Sequence, residues 1–265
     1  MRAVAIPLVL LLAAGCGTTT GADAQWDAPP AGATVDYQLG GSYTPDPAVE
    51  VVVRDRTAAA PASRYGICYV NAFQTQPDEL TAWQRSHPDL LLHDGEGQLV
   101  EDPSWPGEYL LDIRTEASRS RLLTAVGPWI DGCAEAGYQA VEPDNLDSWT
   151  RSEGLLDRDD AAALARLLID RAHASGLAIA QKNAPELSRA DLGFDFAVAE
   201  ECEVYRECDA YTDAFGDNVI EIEYTDNGTE AFTRACATRG DRVSVLLRDR
   251  DAVAPDDPAH VARWC

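Results

Sequence analysis

The sequence predicts a single α/β domain, a (β/α)8 TIM-type barrel with room for one extra strand. Three observations predict it. Short β-rich runs alternate with helical stretches, the signature of a parallel sheet with helices outside. The chain has 265 residues, and one such barrel uses about 250. No G-x-G-x-x-G or phosphate-binding loop follows any β-rich run, which weakens the doubly wound open sheet, the alternative α/β architecture.

The elements follow in order. Runs rich in β-branched and aromatic residues are Val35–Leu39, Val49–Val53, Tyr65–Val70, Tyr109–Ile113, Tyr138–Val141, Leu177–Gln181, Phe194–Ala199, Val219–Glu223 and Val243–Leu247. That is one more than a barrel needs, so one run is extra or is not a barrel strand. Thr115–Ala136 has helical character, but Gly127-Pro128 is expected to break or kink it, because proline lacks an N–H and crowds the preceding turn. Asp157–Ser175 is the clearest helix. Asp157 caps it, Asp159 and Asp160 suit its first turn, Leu164, Leu167, Leu168 and Ala172 form an apolar stripe, and Gly176 ends it.

The N-terminus reads as an address. Arg2 precedes an apolar run from Val4 to Ala14, too short to span a bilayer but suited to the core of a signal peptide. Leu12-Ala13-Ala14-Gly15-Cys16 resembles a bacterial lipobox. It predicts a signal peptide over 1–15, lipidation of Cys16 and a polar tether over 16–33, with the barrel over 34–265. The alternative is a secretory signal cut after Ala22-Asp23-Ala24. Either route exports the chain, as a cell-membrane lipoprotein facing outside or as a secreted protein, into a compartment where disulfides persist.

Six cysteines remain after Cys16. An even number in an exported chain argues for three disulfides. Cys202 and Cys208 are close enough to pair locally, and Cys236 and Cys265 share the C-terminal segment. Cys68 is then left with Cys133. No C-x-x-C pair and no histidine spacing suggests a metal, and no cofactor is expected.

The formal charge is −24, which excludes a grip on nucleic acid or an anionic membrane surface, since both need clustered cations. A membrane contact is expected only through the lipid anchor, and the barrel is expected to be a monomer. The acidity serves solubility or attracts a cationic ligand. Lys182 is the sole lysine.

In a barrel the active site lies at the C-terminal ends of the strands. Those ends carry Asp55, Tyr69 and Asn71, Asp112 and Arg114, Asp144 and Asn145, Lys182 and Asn183, Glu200 and Glu201, and Glu223 and Tyr224. Such a rim is poor in histidine and has no Ser-His-Asp order. It suits carboxylate acid–base chemistry on a polar substrate, as in glycoside hydrolysis. Asp112 with Arg114 is either part of the site or a structural ion pair. Trp26, Trp105 and Trp149 are either core residues or platforms for sugar faces.

Several motifs, in order, resemble glycoside hydrolase family 114, the endo-α-1,4-polygalactosaminidase family. They are Trp105-Pro106, Leu111-Asp112-Ile113-Arg114, Val141-Glu142-Pro143-Asp144-Asn145-Leu146-Asp147, Lys182-Asn183, Ala199-Glu200-Glu201-Cys202 running to Tyr205 and Cys208, and Ile222-Glu223-Tyr224. The resemblance runs from about Trp26 to Arg250. It implies a (β/α)8 barrel, an acidic pair of Asp144 and Glu200, and a pocket holding Asp112, Lys182 and Glu223. With the strand-end residues Asp55, Tyr69, Asn71 and Asn145, and with Tyr205, these are the expected substrate contacts. Two departures, Asn71-Ala72-Phe73-Gln74-Thr75-Gln76 and Ala199, fall beside the expected cleft.

The resulting expectation is an exported glycosidase acting on an α-linked galactosamine polymer or aminosugar oligomer. Asp144 is the expected nucleophile, kept ionised by Asn145 and Lys182. Glu200 is the expected acid/base, its proton held by the negative charges of Glu201 and Glu203, and retention is the expected outcome. The alternatives are a non-catalytic carbohydrate-binding barrel and a hydrolase of another glycan.

Overall fold

A computed structural model describes residue 1 and residues 26–265. The expected leader, Cys16 and the alternative cleavage site lie outside the described residues. Eight strands run parallel in chain order: β1 (Val35–Gln38), β2 (Val51–Asp55), β3 (Tyr65–Asn71), β4 (Ala140–Asp144), β5 (Ala178–Lys182), β6 (Phe196–Glu200), β7 (Val219–Tyr224) and β8 (Ser244–Arg248). A short β9 (Ala262–Trp264) is the extra strand, antiparallel to β8. The helices are α1 (Leu80–Ser86), α2 (Glu116–Ala136), α3 (Arg158–Ala174), α4 (Cys202–Tyr205), α5 (Cys208–Phe215) and α6 (Glu230–Arg239).

The sheet curls into a nearly closed barrel. No ladder joins β1 to β8 among the described residues. Side chains complete the ring instead. The buried Arg248 donates from Nε to the Tyr37 carbonyl at 3.0 Å, and the Trp264 indole donates to the Val35 carbonyl at 2.6 Å.

Tyr109–Ile113 is not a barrel strand. β3 pairs directly with β4, Asn71 opposite Asp144. Residues 72–112 form a lobe joined by isolated antiparallel bridges, among them Gln74 with Leu110, Leu91 with Leu111 and Glu101 with Tyr109. Leu110 and Leu111 are fully buried in that lobe, as is Ile113 just beyond it. A short apolar run buried on both sides has the same sequence pattern in either setting.

Pro128 does not break α2, which runs unbroken through it. The proline is exposed, and the opposite face buries Leu122, Val126, Ile130 and Cys133. Thr115 caps the helix by accepting from the Ser118 N–H. In α3 the expected Asp157 cap is present and forms a capping box with Asp160. The cysteines pair as expected, Cys68–Cys133, Cys202–Cys208 and Cys236–Cys265.

The described end of the expected tether is part of the folded body. Trp26 stacks on His173 with ring centroids 3.8 Å apart, and its indole donates to Asp195 at 2.9 Å. An aromatic residue with that much apolar area is better buried than left on a linker.

Strand alternation divides the core. Residues such as Val53, Ile67, Ala180, Val198 and Ile222 fill the barrel interior. Their sequence neighbours face the helices, where Val70, Val141 and Leu168 form one layer and Ala199, Tyr211 and Leu247 another.

Candidate active site

The same alternation decides which strand-end side chains enter the barrel mouth. Of the last inward positions, Tyr37, Tyr69, Asp144, Lys182, Glu200 and Tyr224 line one cleft of about 940 Å³, whereas Asp55 opens on an adjoining hollow and Arg248 is fully buried. Asp144, on β4, and Glu200, on β6, flank β5, which supplies Lys182 between them. The Lys182 ammonium lies 3.1 Å from Asp144 Oδ1 and 3.3 Å from Glu200 Oε2. The two oxygens therefore lie no further apart than those distances laid end to end.

Lys182 also donates to Glu142 Oε1 at 2.9 Å and to the Tyr37 hydroxyl at 3.0 Å. Tyr37 donates to the same Glu142 oxygen at 2.5 Å. Glu142 is one inward step deeper than Asp144 and fully buried. Burial would drive a lone ammonium to its neutral form, but the charges of Asp144, Glu142 and Glu200 reverse this and hold Lys182 protonated well above the ordinary lysine range.

Burial opposes ionisation of Asp144, yet its pKa lies below the usual carboxylate value. The Lys182 charge, the Asn145 backbone N–H and the Tyr69 hydroxyl, which donates to Oδ2 at 2.8 Å, outweigh burial. Glu142 goes the other way: burial, with the Asp144 charge, pushes it up despite Lys182. Glu200 accepts from Asn183 Nδ2 at 3.0 Å and from the Tyr224 hydroxyl, and its N–H donates to Asn183 Oδ1 at 2.8 Å.

Each of these strand ends turns sharply. Asn145, Asn183, Ala184 and Glu201 all have left-handed backbones, with φ of 63°, 48°, 59° and 58°. Asparagine adopts this conformation readily, but alanine and glutamate do so at a cost on the order of 1 kcal/mol or more. Such turns send the chain off the strand at once, leaving the preceding side chain at the lip of the barrel.

Tyr69, Asp144, Asn145, Lys182, Glu200 and Tyr205 are thus brought together around the cleft. Asn71 stands behind it, buried, accepting from Asn145 Nδ2 at 3.0 Å. Asp55 lies in an adjoining hollow, where it accepts from Gln76 and from the Thr57 N–H and hydroxyl.

Asp112 and Glu223 are not cleft residues. Asp112 lies on the lobe rather than on a strand, and both its oxygens bind Arg114, at 2.9 and 2.7 Å. Glu223 has the outward parity on β7. It is buried beneath the start of α4, accepting from the Glu203 N–H at 2.9 Å, while the next residue, Tyr224, points inward. Within the two departures from the family pattern, Asn71 binds the cleft residue Asn145 and Gln76 lines the adjoining hollow, whereas Ala199 and Phe73 face away from the cleft. Ala199 is in the outer layer, and Phe73 is fully buried in the lobe.

Glu201 and Glu203 do not leave uncompensated negative charge beside Glu200. Arg250 pairs with Glu201 at 2.7 Å, and Arg234 and Arg239 pair with Glu203 at 2.9 and 2.7 Å. Of the three tryptophans, Trp105 lines the cleft, Trp149 packs against the core and Trp26 stacks on His173.

Tyr37 and Glu108 join the site in addition to the residues the sequence singles out, and Glu142, there only part of a strand-end motif, supports Lys182 from one step deeper. Parity was the available signal for Tyr37 and Glu142, since each lies an even number of residues from an inward apolar neighbour. Glu108 carries no such signal, because the irregular lobe delivers it. Among the described residues the only trio placed to ligate a metal is Cys202, Cys208 and Glu221. Both sulfurs are in a disulfide and the carboxylate binds Arg239, so that set does not suit an ion.

The family model for glycoside-hydrolase family GH114 matches residues 17–265. No curated protein matches the chain. Among solved structures, Ega3 of Aspergillus fumigatus, in complex with galactosamine, is similar over 90% of this chain and 97% of its own, with 22% identity and a TM-score of 0.70. The glycoside hydrolase domain of PelA from Pseudomonas aeruginosa is similar over 86% of this chain and 98% of its own, with 15% identity and a TM-score of 0.58.

Proposed function

The chain belongs to glycoside-hydrolase family GH114, and from that premise we propose that it is an exported enzyme cleaving α-linked galactosamine polymers with retention, Asp144 acting as nucleophile and Glu200 as acid/base. The observation that carries this reading is the Lys182 ammonium touching both carboxylates across β5. It limits the gap between the touching oxygens to less than about 6.5 Å, the lower end of the inverting range; retaining pairs are about 5–5.5 Å apart.

In the first step an Asp144 oxygen attacks the anomeric carbon while Glu200 gives its proton to the glycosidic oxygen. The C–O bond to the leaving sugar breaks and a glycosyl ester forms on Asp144. The negative charge at Asp144 is then gone, and Lys182 is shared by Glu142 and Glu200 alone. Glu200, left as a carboxylate by the first step, takes a proton from water as the water oxygen attacks the anomeric carbon. The ester C–O bond breaks and Asp144 leaves as a carboxylate, re-forming its pair with Lys182.

Two further points support the substrate class. The cleft is lined by nine carboxylates and three cationic side chains, a surface suited to protonated amines. The similar structure of Ega3 is a complex with galactosamine. Export is supported by the three disulfides, which persist in oxidising compartments. Attachment through lipid on Cys16 completes the proposal; Cys16→Ala should move the protein from the membrane fraction to the soluble one.

The test is hydrolysis of galactosamine polymer followed by product mass spectrometry, with Asp144→Asn and Glu200→Gln as controls whose folding is checked by circular dichroism. The reading expects wild-type cleavage to galactosamine oligomers and at least a thousandfold loss in each variant. Near wild-type rates in either folded variant contradict it.

A further inference from the structure

Among the described residues, the large hydrophobic side chains that stand exposed, apart from Met1, are Trp105 and Tyr205, at 46% and 65%. Both line the catalytic cleft. Tyr205 comes from α4, and Trp105 comes from a turn of the lobe that also carries Glu108.

That turn is built firmly. The Glu108 N–H donates to the Trp105 carbonyl at 3.0 Å, and the Asp102 N–H donates to the Glu108 carbonyl at 2.9 Å. Asp102 is buried and anchors the turn: its carboxylate binds Arg151 at 2.5 Å and Gln74 at 2.8 Å. Gly107 makes the corner with φ of +92°, and a Cβ there would meet Pro77 Cβ at 3.2 Å. Rigid support of this kind keeps a binding group in place without ordering cost on binding.

Glu108 is half-buried, and one oxygen is fixed. Oε2 accepts from Asn71 Nδ2 at 3.0 Å and from Asn145 Nδ2 at 3.4 Å. Oε1 has no protein partner among the described residues. With Leu39 and Tyr69, Glu108 lines both the catalytic cleft and the adjoining hollow of about 510 Å³. A polymer leaving the catalytic pair in that direction passes over it.

We propose that the Asp102–Glu108 turn forms a distal subsite, where the Trp105 indole stacks on one sugar ring and Glu108 binds a protonated amine of the chain. The proposal rests on the reading of the substrate as an aminosugar polymer and deepens it, by assigning the selection of free over acetylated amines to Glu108. Tyr205, at the end of α4 and lining the same cleft, is the second stacking face.

The electrostatics of the turn agree. Burial raises the Glu108 carboxyl to about 7; the Asn71 hydrogen bond opposes this, the charges of Asp144 and Asp102 add to it, and Arg151 opposes it. Tyr69, which lines the same cleft, stays a neutral phenol, and Asp55 and Asp78 face the adjoining hollow. An arriving ammonium favours the ionised carboxylate, so binding slightly below pH 7 releases a proton from Glu108.

The experiment is calorimetric titration of the full chain carrying Glu200→Gln, alone and combined with Glu108→Gln or Trp105→Ala. The ligands are galactosamine oligomers and their fully N-acetylated forms, in two buffers of different ionisation enthalpy at pH 6.5. Glutamine keeps an oxygen to accept from Asn71 and Asn145, so the turn should persist, and the Glu108→Asp variant is a second check that keeps the charge. Glu108→Gln is expected to weaken the free-amine oligomer about tenfold, to change the acetylated one less than twofold, and to abolish proton release. Trp105→Ala is expected to weaken both ligands about tenfold. Equal affinities, or equal losses for both ligands in Glu108→Gln, overturn the subsite while leaving the catalytic reading intact. Failure of the parent to bind, and of wild type to cleave, any galactosamine oligomer overturns both.

Discussion

At the residue scale the account turns on Lys182. One buried ammonium compensates Glu142, Asp144 and Glu200, so its removal strands carboxylates in a low-dielectric pocket. Lys182→Met is expected to cost about 3–5 kcal/mol of stability by urea unfolding and to abolish hydrolysis. Loss of activity with unchanged stability would mean that the lysine is not holding the pair. The pH dependence has a definite sign. The folded pKa of Asp144 is depressed, so its stabilisation is present above the unfolded value and is lost as pH falls through the folded one. Glu142 is raised, so its contribution is present at low pH and is lost as pH rises. Lys182 was legible in the sequence because it stands alone at the end of an apolar strand. Glu223 was misplaced because a strand end names two neighbouring residues and only parity chooses between them. On β7 that choice falls on Tyr224.

At the element scale, Glu223 ties β7 to the start of α4, just beyond Glu200. Burial, with the charges of Glu221, Glu201 and Glu203, raises its carboxyl to about 7 against the opposing Glu203 N–H. Its stabilisation is therefore full below about pH 4.5 and is lost as pH rises through 7. Relative to Glu223→Gln, the wild type should lose on the order of 2 kcal/mol between pH 4.5 and 8, read from urea midpoints. A flat difference would contradict the placement. α2 supplies a second prediction. Pro128 is exposed in mid-helix, where proline is disfavoured against alanine by about 3 kcal/mol, so Pro128→Ala should raise stability by about 1–3 kcal/mol. Thermal unfolding checks it, and a destabilised variant would show that the proline is matched to its site. Helical periodicity, the Asp157 cap and all eight parallel barrel strands were legible. The 72–112 lobe was not, because its apolar residues are buried like those of a central strand. With it went the positions of Asp112, Trp105 and Glu108.

At the scale of the whole molecule, the proposed substrate is cationic, and the charge of −24 and the acidic cleft are expected to attract it. Its kcat/KM should fall several-fold between about 20 and 300 mM salt, as the screening length shortens from tens of ångströms toward a few. An N-acetylated, neutral polymer, to whatever extent it is hydrolysed, should show little salt dependence. Equal salt dependence for both would remove any role for the charge. The barrel was legible as a whole because alternation, length and the paired cysteines agree with one another. What the sequence could not place was the lobe insertion, since nothing in a linear pattern says which barrel loop a side excursion leans over.

Retention by the Asp144–Glu200 pair is tested most directly by time-resolved NMR of the first anomer released from an α-linked galactosamine oligomer, recorded for wild type, Asp144→Asn and Glu200→Gln. Wild type is expected to release the α-anomer first, with β appearing only by mutarotation, and neither variant is expected to show measurable release on the same timescale. Initial β-anomer from wild type would contradict retention, and comparable release from either folded variant would contradict the assignment of the pair.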